Sequence, residues 1–449
     1  MSTIEKHDMT QGKILLPLVS FTIPLVLGNL FQLTYNAADS VIVGKYVGEQ
    51  ALAAVGTSTP IMNIAILLIS GMCMGASVLM SSQYGAKDYD TLSRQISTTM
   101  LAGCGFSVVF SLLMLLLANP VLRLIRVPET AIPEAAAYLR IIFMGLIFTF
   151  MYNFLANTMR ALGDSKTPLY FLVTSAFLNI FGDLFFVVVL RWGVAGSAIA
   201  TVCSEGLCCL LCGIYIKKKI PLLCLGKKWW VFDKSLLGKT VSYGSTSAMQ
   251  QVCLQLGKLI IQSVVNTQGV AVMAAFTAVN RVDDFAYTPQ QNIGHAMTTF
   301  LAQNKGAGHK ERMKKGFQTC LLIELVYSIG LFCVIWGLAP QIMTLFAEDG
   351  DAQVVSLGIS YLHLISWMYI LPGLTNGVQG FFRGIGDLKV TLYSTFMNMF
   401  GRVVAVFVMI RLLQMEFASL AWANMVGWIV MLLFEVPLLV KSMRNGECG

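Results

Sequence analysis

The chain has 449 residues, 56% of them hydrophobic and 12% charged, with a formal net charge of +8. Soluble domains carry about 25% charged residues, so a water-soluble enzyme is excluded, and a mean hydropathy of +0.71 places the protein in a membrane. Nucleic acid does not explain the positive charge, because the basic residues cluster at the ends of apolar runs.

Apolar runs long enough to span a bilayer recur along the whole sequence, and twelve spans are expected. The first 13 residues are polar and the first run holds Pro17 and Pro24, so no cleavable signal peptide is expected. The first helix, about Ile14 to Val43, carries Asn29, Gln32, Asn36 and Asp39 on a single stripe. The second, about Ala54 to Tyr84, holds Gly71-Met72-Cys73-Met74-Gly75, a spacing that lets helices approach closely. A third follows over Ile96 to Ala118, then an outer loop with Arg123 and Arg126, and a fourth over Glu134 to Thr158. The polar tip Arg160 to Pro168 opens a fifth, which carries Asn179 and Asp183 on one face. The sixth, Gly193 to Ile216, carries Thr201 and Glu205. Cys208, Cys209 and Cys212 lie among apolar residues and read as buried small hydrophobes rather than a zinc site or a disulfide framework.

Lys217 to Lys239 forms a basic link, with Trp229 and Trp230 beside Lys227 and Lys228 as an interfacial anchor. The seventh helix, Thr240 to Val265, contains Gln250, Gln251, Gln255 and Lys258. The eighth, Val270 to Gln303, is the most polar, with Asn280, Arg281, Asp283, Asp284, Gln290, Gln291, Asn292 and His295. Such a helix is stable at membrane depth only against protein or a water-filled cavity. Helices over Phe317–Leu338 (with Glu324), Leu357–Phe382, Val390–Leu413 and Ser419–Val440 complete the set, the first two joined by the acidic stretch Glu348 to Asp351. The Lys and Arg distribution puts both termini on the cytoplasmic side of the cell membrane.

The second half repeats the first. Arg383 to Tyr393 echoes Arg160 to Tyr170, Asn398 to Arg402 echoes Asn179 to Asp183, and Lys305-Gly306-Ala307 echoes Tyr84-Gly85-Ala86. The expected architecture is therefore all-α, two pseudo-symmetric six-helix bundles, residues 1–225 and 226–449. At the key position the copies differ: Asp183 stands where the second half has Arg402.

An aspartate near the bilayer centre costs roughly 2.5–3.5 kcal/mol on insertion scales. Asp39 and Asp183 fall at similar depth, with Asn36, Asn179 and Thr201 nearby, and can line an oxygen-rich pocket for a proton or a monovalent cation. The bland alternative is a buried ion pair of Asp183 with a base from elsewhere. Arg281, Asp283 and Asp284 read equally as a self-neutralising knot or a binding cluster, and Arg402 is available to pair with either acid. Glu324 and Glu435 are lone acids without an assigned role, and His295 and His363 read as hydrogen-bonded helix residues. No GxxxxGK[ST], HExxH or GxSxG motif occurs, so direct ATP drive and the usual hydrolase signatures are absent.

Taken in order, Asp39 to Gly44, Ala51 to Gly56, Arg160 to Asp164, Asn179 to Asp183 and Gly193 to Thr201 resemble the multidrug and toxin extrusion (MATE) family over essentially the whole chain. That resemblance implies a V-shaped transporter whose halves open alternately and export cationic, often aromatic compounds against H⁺ or Na⁺, with no other cofactor. It implies ion coupling at Asp39, Asn179, Asp183 and Thr201, which is also where Na⁺ would bind. The glutamines of the seventh helix depart from the members that use an acid there. Asn36, Gln255, Arg281, Asp283, Asp284 and Arg402 are candidates for the substrate cavity. Small organic cations and the bilayer are the expected partners, with no nucleic acid, and a monomer is expected to suffice. Two alternatives remain: a lipid-linked saccharide flippase of the same superfamily, and a channel or non-transporting receptor, against which the two-half repeat argues.

Overall fold

The computed structural model describes residues 8–125, 127–220, 230–346, 352–412 and 417–445. The expectations at Arg126, at Lys227, Lys228 and Trp229, and at Glu348 to Asp351 lie outside these residues. Among the described residues there is no strand. The helices are α1 (Leu15–Tyr46), α2 (Glu49–Gly85), α3 (Tyr89–Leu124), α4 (Ile132–Met144), α5 (Leu146–Ala161), α6 (Lys166–Asp183), α7 (Gly193–Lys219), α8 (Lys234–Val265), α9 (Val270–Gly306), α10 (Lys310–Phe346), α11 (Ala352–Ser366), α12 (Ile370–Ile385), α13 (Leu388–Phe407) and α14 (Ala418–Arg444). A π-helical turn, Leu184–Val189, continues α6, and another, Val408–Leu412, continues α13.

Nine spans among the described residues are long and apolar enough to cross a membrane, with α11 and α12 forming one of them. The expected fourth helix is two: α4 and α5 meet at a 47° bend and make the tenth. Gly145 at that break lets Val202 of α7 come within 2.4 Å of where a Cβ would stand, closer than any side chain allows. The remaining two long helices are α8 and α9, of 32 and 37 residues. Their glutamines and charges make them more polar than the others, and counting them with the ten gives the twelve helices expected.

The chain divides into two compact units, the first built on Ile23–Ala248 and the second on Met9–Thr22 and Met249–Gly449. In the first, Leu92, Leu122, Leu139, Phe143, Phe154 and Met159 are buried in one apolar core. In the second, Val279, Met343, Tyr361, Ile365 and Tyr369 play that part. Arg312 ties the N-terminal segment to the second unit through the carbonyls of Met9, Gln11 and Gly12.

Backbone dihedrals carry the repeat seen in the sequence. Gly163 and Gly386 hold φ of +89° and +88° at the matching hairpin tips. Gly48 and Gly269, at +116° and +102°, precede α2 and α9, and Lys87 (+57°) matches Gly308 (+73°) after them. At the first tip Asp164 Oδ1 accepts from the Lys166 and Thr167 amides at 3.0 Å, so α6 starts on a side-chain cap. Gly71 and Gly75 do face a helix: added Cβ atoms would stand 2.5 Å from Ala248 Cα and from the Tyr243 carbonyl of α8. All nine cysteines among the described residues are free, with Cys73, Cys208, Cys212 and Cys320 buried.

Candidate functional site

In the first unit α1, α6 and α7 bring five of the oxygen-bearing side chains together. Asp183 is the last residue of α6 and is fully buried; Asn179, one turn earlier, is 3% exposed. The small residues Gly182 and Gly196 let α6 and α7 close up, with Ala200 Cβ 2.9 Å from a Cβ at the first and Phe186 main-chain atoms 3.1 Å from one at the second. From α7, Ser197 Oγ donates to Asp39 Oδ1 at 2.7 Å, and Thr201 Oγ1 accepts from Asn179 Nδ2 at 3.2 Å. The Asp39 and Asp183 carboxyl groups face one another.

What distinguishes the cluster is the oxygens left over. Both carboxylate oxygens of Asp183 and the amide oxygen of Asn179 are buried and accept no hydrogen bond. No lysine, arginine or histidine forms an ion pair with Asp39 or Asp183 among the described residues. A buried carboxylate with neither donors nor a counter-charge costs several kcal/mol. Asn36 is exposed on α1.

The π turn begins directly after Asp183, a helix form that recurs at functional sites. Tyr35 of α1 and Tyr138 of α4 also feel the Asp39 charge. Glu205, one turn beyond Thr201, is held by the Thr149 hydroxyl at 2.5 Å rather than joining the acid pair. Ser197 and Tyr138 are the members that residue-by-residue reading passed over. The i, i+4 stripe of Ser197, Thr201 and Glu205 was the available signal for the first; nothing local marks the second.

The second unit takes the expected knot apart. Asp283 is 5% exposed and accepts the Tyr369 hydroxyl at 2.5 Å, while Asp284 is exposed and pairs with Lys258 of α8 at 3.5 Å. Arg281 is exposed and makes no ion pair among the described residues. The spacing explains this: Arg281 and Asp284 share the open stripe of α9 with Thr277, Thr288 and Gln291, whereas Asp283 points a hundred degrees away into the core. Arg402 is near enough to act on Asp283 electrostatically, without an ion-pair contact, and its Nε is buried without a partner. Gln255 is half-buried on α8.

Gln250 is buried in an amide–hydroxyl network, donating to Gln379 Oε1 at 3.2 Å and Thr395 Oγ1 at 3.0 Å. Gln379 in turn donates to Ser394 and Thr395. Beside it lies a buried acid from α14, Glu435, facing the buried Arg383. His295 contacts Arg383 at 3.4 Å, and His363 stacks on Trp336 with ring centroids 4.6 Å apart. No group of three His, Cys, Asp or Glu side chains has metal-binding geometry among the described residues.

The MatE family model matches residues 24–185 and 247–409, one stretch in each half. The chain is 32% identical over 392 residues to the probable multidrug resistance protein YpnP of Bacillus subtilis, covering 87% of this chain and 86% of that one. It is 23% identical to the probable multidrug resistance protein NorM of Thermotoga maritima, over 92% of this chain and 89% of that one. Among solved structures, an outward-facing multidrug resistance MATE family transporter superposes with a TM-score of 0.91 at 22% identity, covering 100% of this chain and 99% of that one. A Pyrococcus furiosus transporter of the MOP superfamily, described as having a binding pocket of reverse polarity, gives 0.90 at 22% identity over 99% of both chains. The likeness to the two solved structures is one of fold. A family model matched in both halves and a relative 32% identical over most of its length agree: the chain belongs to the multidrug and toxin extrusion (MATE) family of multi-pass membrane transporters.

Proposed function

We propose that the protein is an antiporter of the cell membrane that exports organic cations in exchange for H⁺ or Na⁺, by alternating access and with both termini cytoplasmic. The observation that carries this reading is the set of three donor-free buried oxygens on Asp183 and Asn179 beside the Asp39 carboxyl. Asp39 and Asp183 take up the coupling ion; Asn179 and Thr201 complete its oxygen shell; Ser197 orients Asp39. Ion uptake and substrate uptake favour different states, which is the condition for exchange. Lys217 to Lys219 at the end of α7 and Lys310 to Lys315 at the start of α10 support the orientation. The open stripe of α9, with Asp284, Thr288 and Gln291, supplies polar groups for a substrate.

Efflux from reconstituted vesicles tests this. The vesicles are loaded with a fluorescent organic cation, and a proton gradient and a sodium gradient are imposed separately. Efflux under one gradient, lost in Asp183→Asn, is the expected result and names the ion. Wild-type efflux in Asp183→Asn overturns the assignment.

Arg281 favours a second reading. An exposed arginine with no ion pair among the described residues, on the same open stripe, suits a substrate carrying an anionic headgroup, as in a lipid-linked saccharide flippase. Failure of efflux under both gradients, with binding of an anionic lipid that Arg281→Gln abolishes, moves the assignment there.

A further inference from the structure

Glu324, near the middle of α10, is a buried acid whose charge nothing around it answers. It is 1% exposed, and neither carboxylate oxygen accepts a hydrogen bond. Gln290 of α9, fully buried, donates Nε2 to Ser328 Oγ at 3.1 Å and to the Tyr369 carbonyl at 2.8 Å, which leaves its own Oε1 buried without a donor. Ser328 spends its proton on the main-chain carbonyl of Glu324 at 2.7 Å. Gly373 of α12 stands opposite. The point where its Cβ would sit is 3.0 Å from Ser328 Oγ, 3.2 Å from Gln290 Nε2 and 3.3 Å from Glu324 Oε2. Polar atoms from α9 and α10 thus converge on Gly373, a position of α12 that has no side chain.

The other buried acids differ. Asp283 accepts the Tyr369 hydroxyl and Glu205 accepts the Thr149 hydroxyl; the Glu435 oxygens also lack a donor, but the buried Arg383 is near enough to act on that acid electrostatically, and no such base acts on Glu324. Around Glu324 the titratable side chains that feel its charge are Cys320 and Tyr327, both on α10. Neither is a base, and the Tyr327 hydroxyl donates to the Ala286 carbonyl at 3.1 Å. From α9, α12 and the turn that precedes α12 the contributions are Gln290, Gly373 and the Tyr369 carbonyl, with no charged group among the described residues. A carboxylate so placed is held in a membrane only with a cation against it.

We propose that the Glu324–Gln290–Gly373 notch is a binding site for a small monovalent cation, a proton or a sodium ion, separate from the Asp183 site. Its chemistry is the same as at Asp183: an acid with two donor-free oxygens beside an amide with a donor-free carbonyl oxygen. The internal repeat does not account for it, since the counterpart of Asp183 in the second half is Arg402. The protein then carries two cations, one in each unit.

The test uses the purified full chain in detergent, with radioactive sodium and infrared spectroscopy of the carboxylic-acid band as probes. Glu324→Gln is expected to lose one sodium equivalent or one carboxylic-acid band at neutral pH, and whichever is lost names the ion. Gly373→Ala keeps the acid but fills the notch, so it is expected to lose the same sodium equivalent or to shift the same band. Asp183→Asn is expected to leave this signal in place. Loss of neither signal in Glu324→Gln overturns the proposal; if that variant does not fold, an unchanged sodium count and band in Gly373→Ala overturns it. Signals lost only in Asp183→Asn sink this inference and spare the Asp183 assignment, and signals lost only in Glu324→Gln do the reverse.

Discussion

The Ser197 hydroxyl donates to Asp39 Oδ1 at 2.7 Å, so one of two facing carboxylates is oriented by a neutral donor while the other, Asp183, receives none. This asymmetry predicts graded effects on coupling. Asp183→Asn abolishes gradient-driven export. Ser197→Ala removes one hydrogen bond, worth about 1 kcal/mol, and raises the half-saturating concentration of the coupling ion about fivefold at unchanged maximal rate. An unaltered half-saturation point in Ser197→Ala means that Asp39 is not a ligand.

The matched turns predict matched costs. Gly163 and Gly386 sit at +89° and +88°, in the left-handed region that penalises a Cβ. Gly163→Ala and Gly386→Ala should each lose about 1–2 kcal/mol and lower the unfolding temperature by similar amounts. Lys87 already bears that strain at +57° where Gly308 does not. Lys87→Gly should therefore leave the unfolding temperature unchanged or raise it. A clear drop would show that the lysine side chain contributes more than its backbone costs.

Helix approach at Gly71 and Gly75 predicts a steeper response. A Cβ at either site would stand 2.5 Å from main-chain atoms of α8, and backbone cannot swing aside as a side-chain tip can. Gly75→Ala should cost about 1–3 kcal/mol. Gly105→Ala, where a Cβ would meet nothing within 4 Å, is the matched control and should be silent. Equal thermal stability of the two variants would refute the close crossing.

Outside the spans, Asp88 caps α3, its Oδ1 accepting from the Thr91 amide at 3.1 Å. Hydrogen bonding from Thr91 holds this carboxyl below the usual carboxylate range. A lowered folded value means that the cap is intact at neutral pH and is lost as pH falls through that value. Asp88→Ala should cost about 1 kcal/mol at pH 7 and nothing measurable once the wild-type carboxyl is protonated. A stability difference that persists at low pH would rule out the charge as its cause.

Much of this was legible in the sequence because it depends on local spacing. Asn179 and Asp183 had to share a face of one helix, and Gly71 with Gly75 had to present a smooth one. The internal repeat announced matching tips before any dihedral was known. What escaped depends on neighbours from far along the chain. Arg281 two residues from Asp283 suggested a knot, but that spacing puts them on nearly opposite faces of a helix, and the partner of Asp284 proved to be Lys258 on another helix. Glu324 looked like a stray acid; only the three-dimensional approach of Gln290 and Gly373 shows its setting. The break at Gly145 was hidden because the sequence there is continuous, apolar and free of proline, and it is Val202 from α7 that demands the gap.

The polarity of α8 and α9 bears on how the protein is made. Ten spans are long and apolar enough to cross a membrane, and α8 and α9 are more polar than these. As a nascent pair they carry Lys258, Arg281, Asp283 and Asp284 towards hydrocarbon, and the Lys258–Asp284 pair joins one helix to the other. Concerted integration is the expected outcome, with α8 and α9 entering as a hairpin that is retained when α10 and α12 arrive to bury Asp283 and Gln290. A nascent chain arrested after Gly306 should leave this hairpin extractable by alkali, whereas one arrested after Arg444 should not.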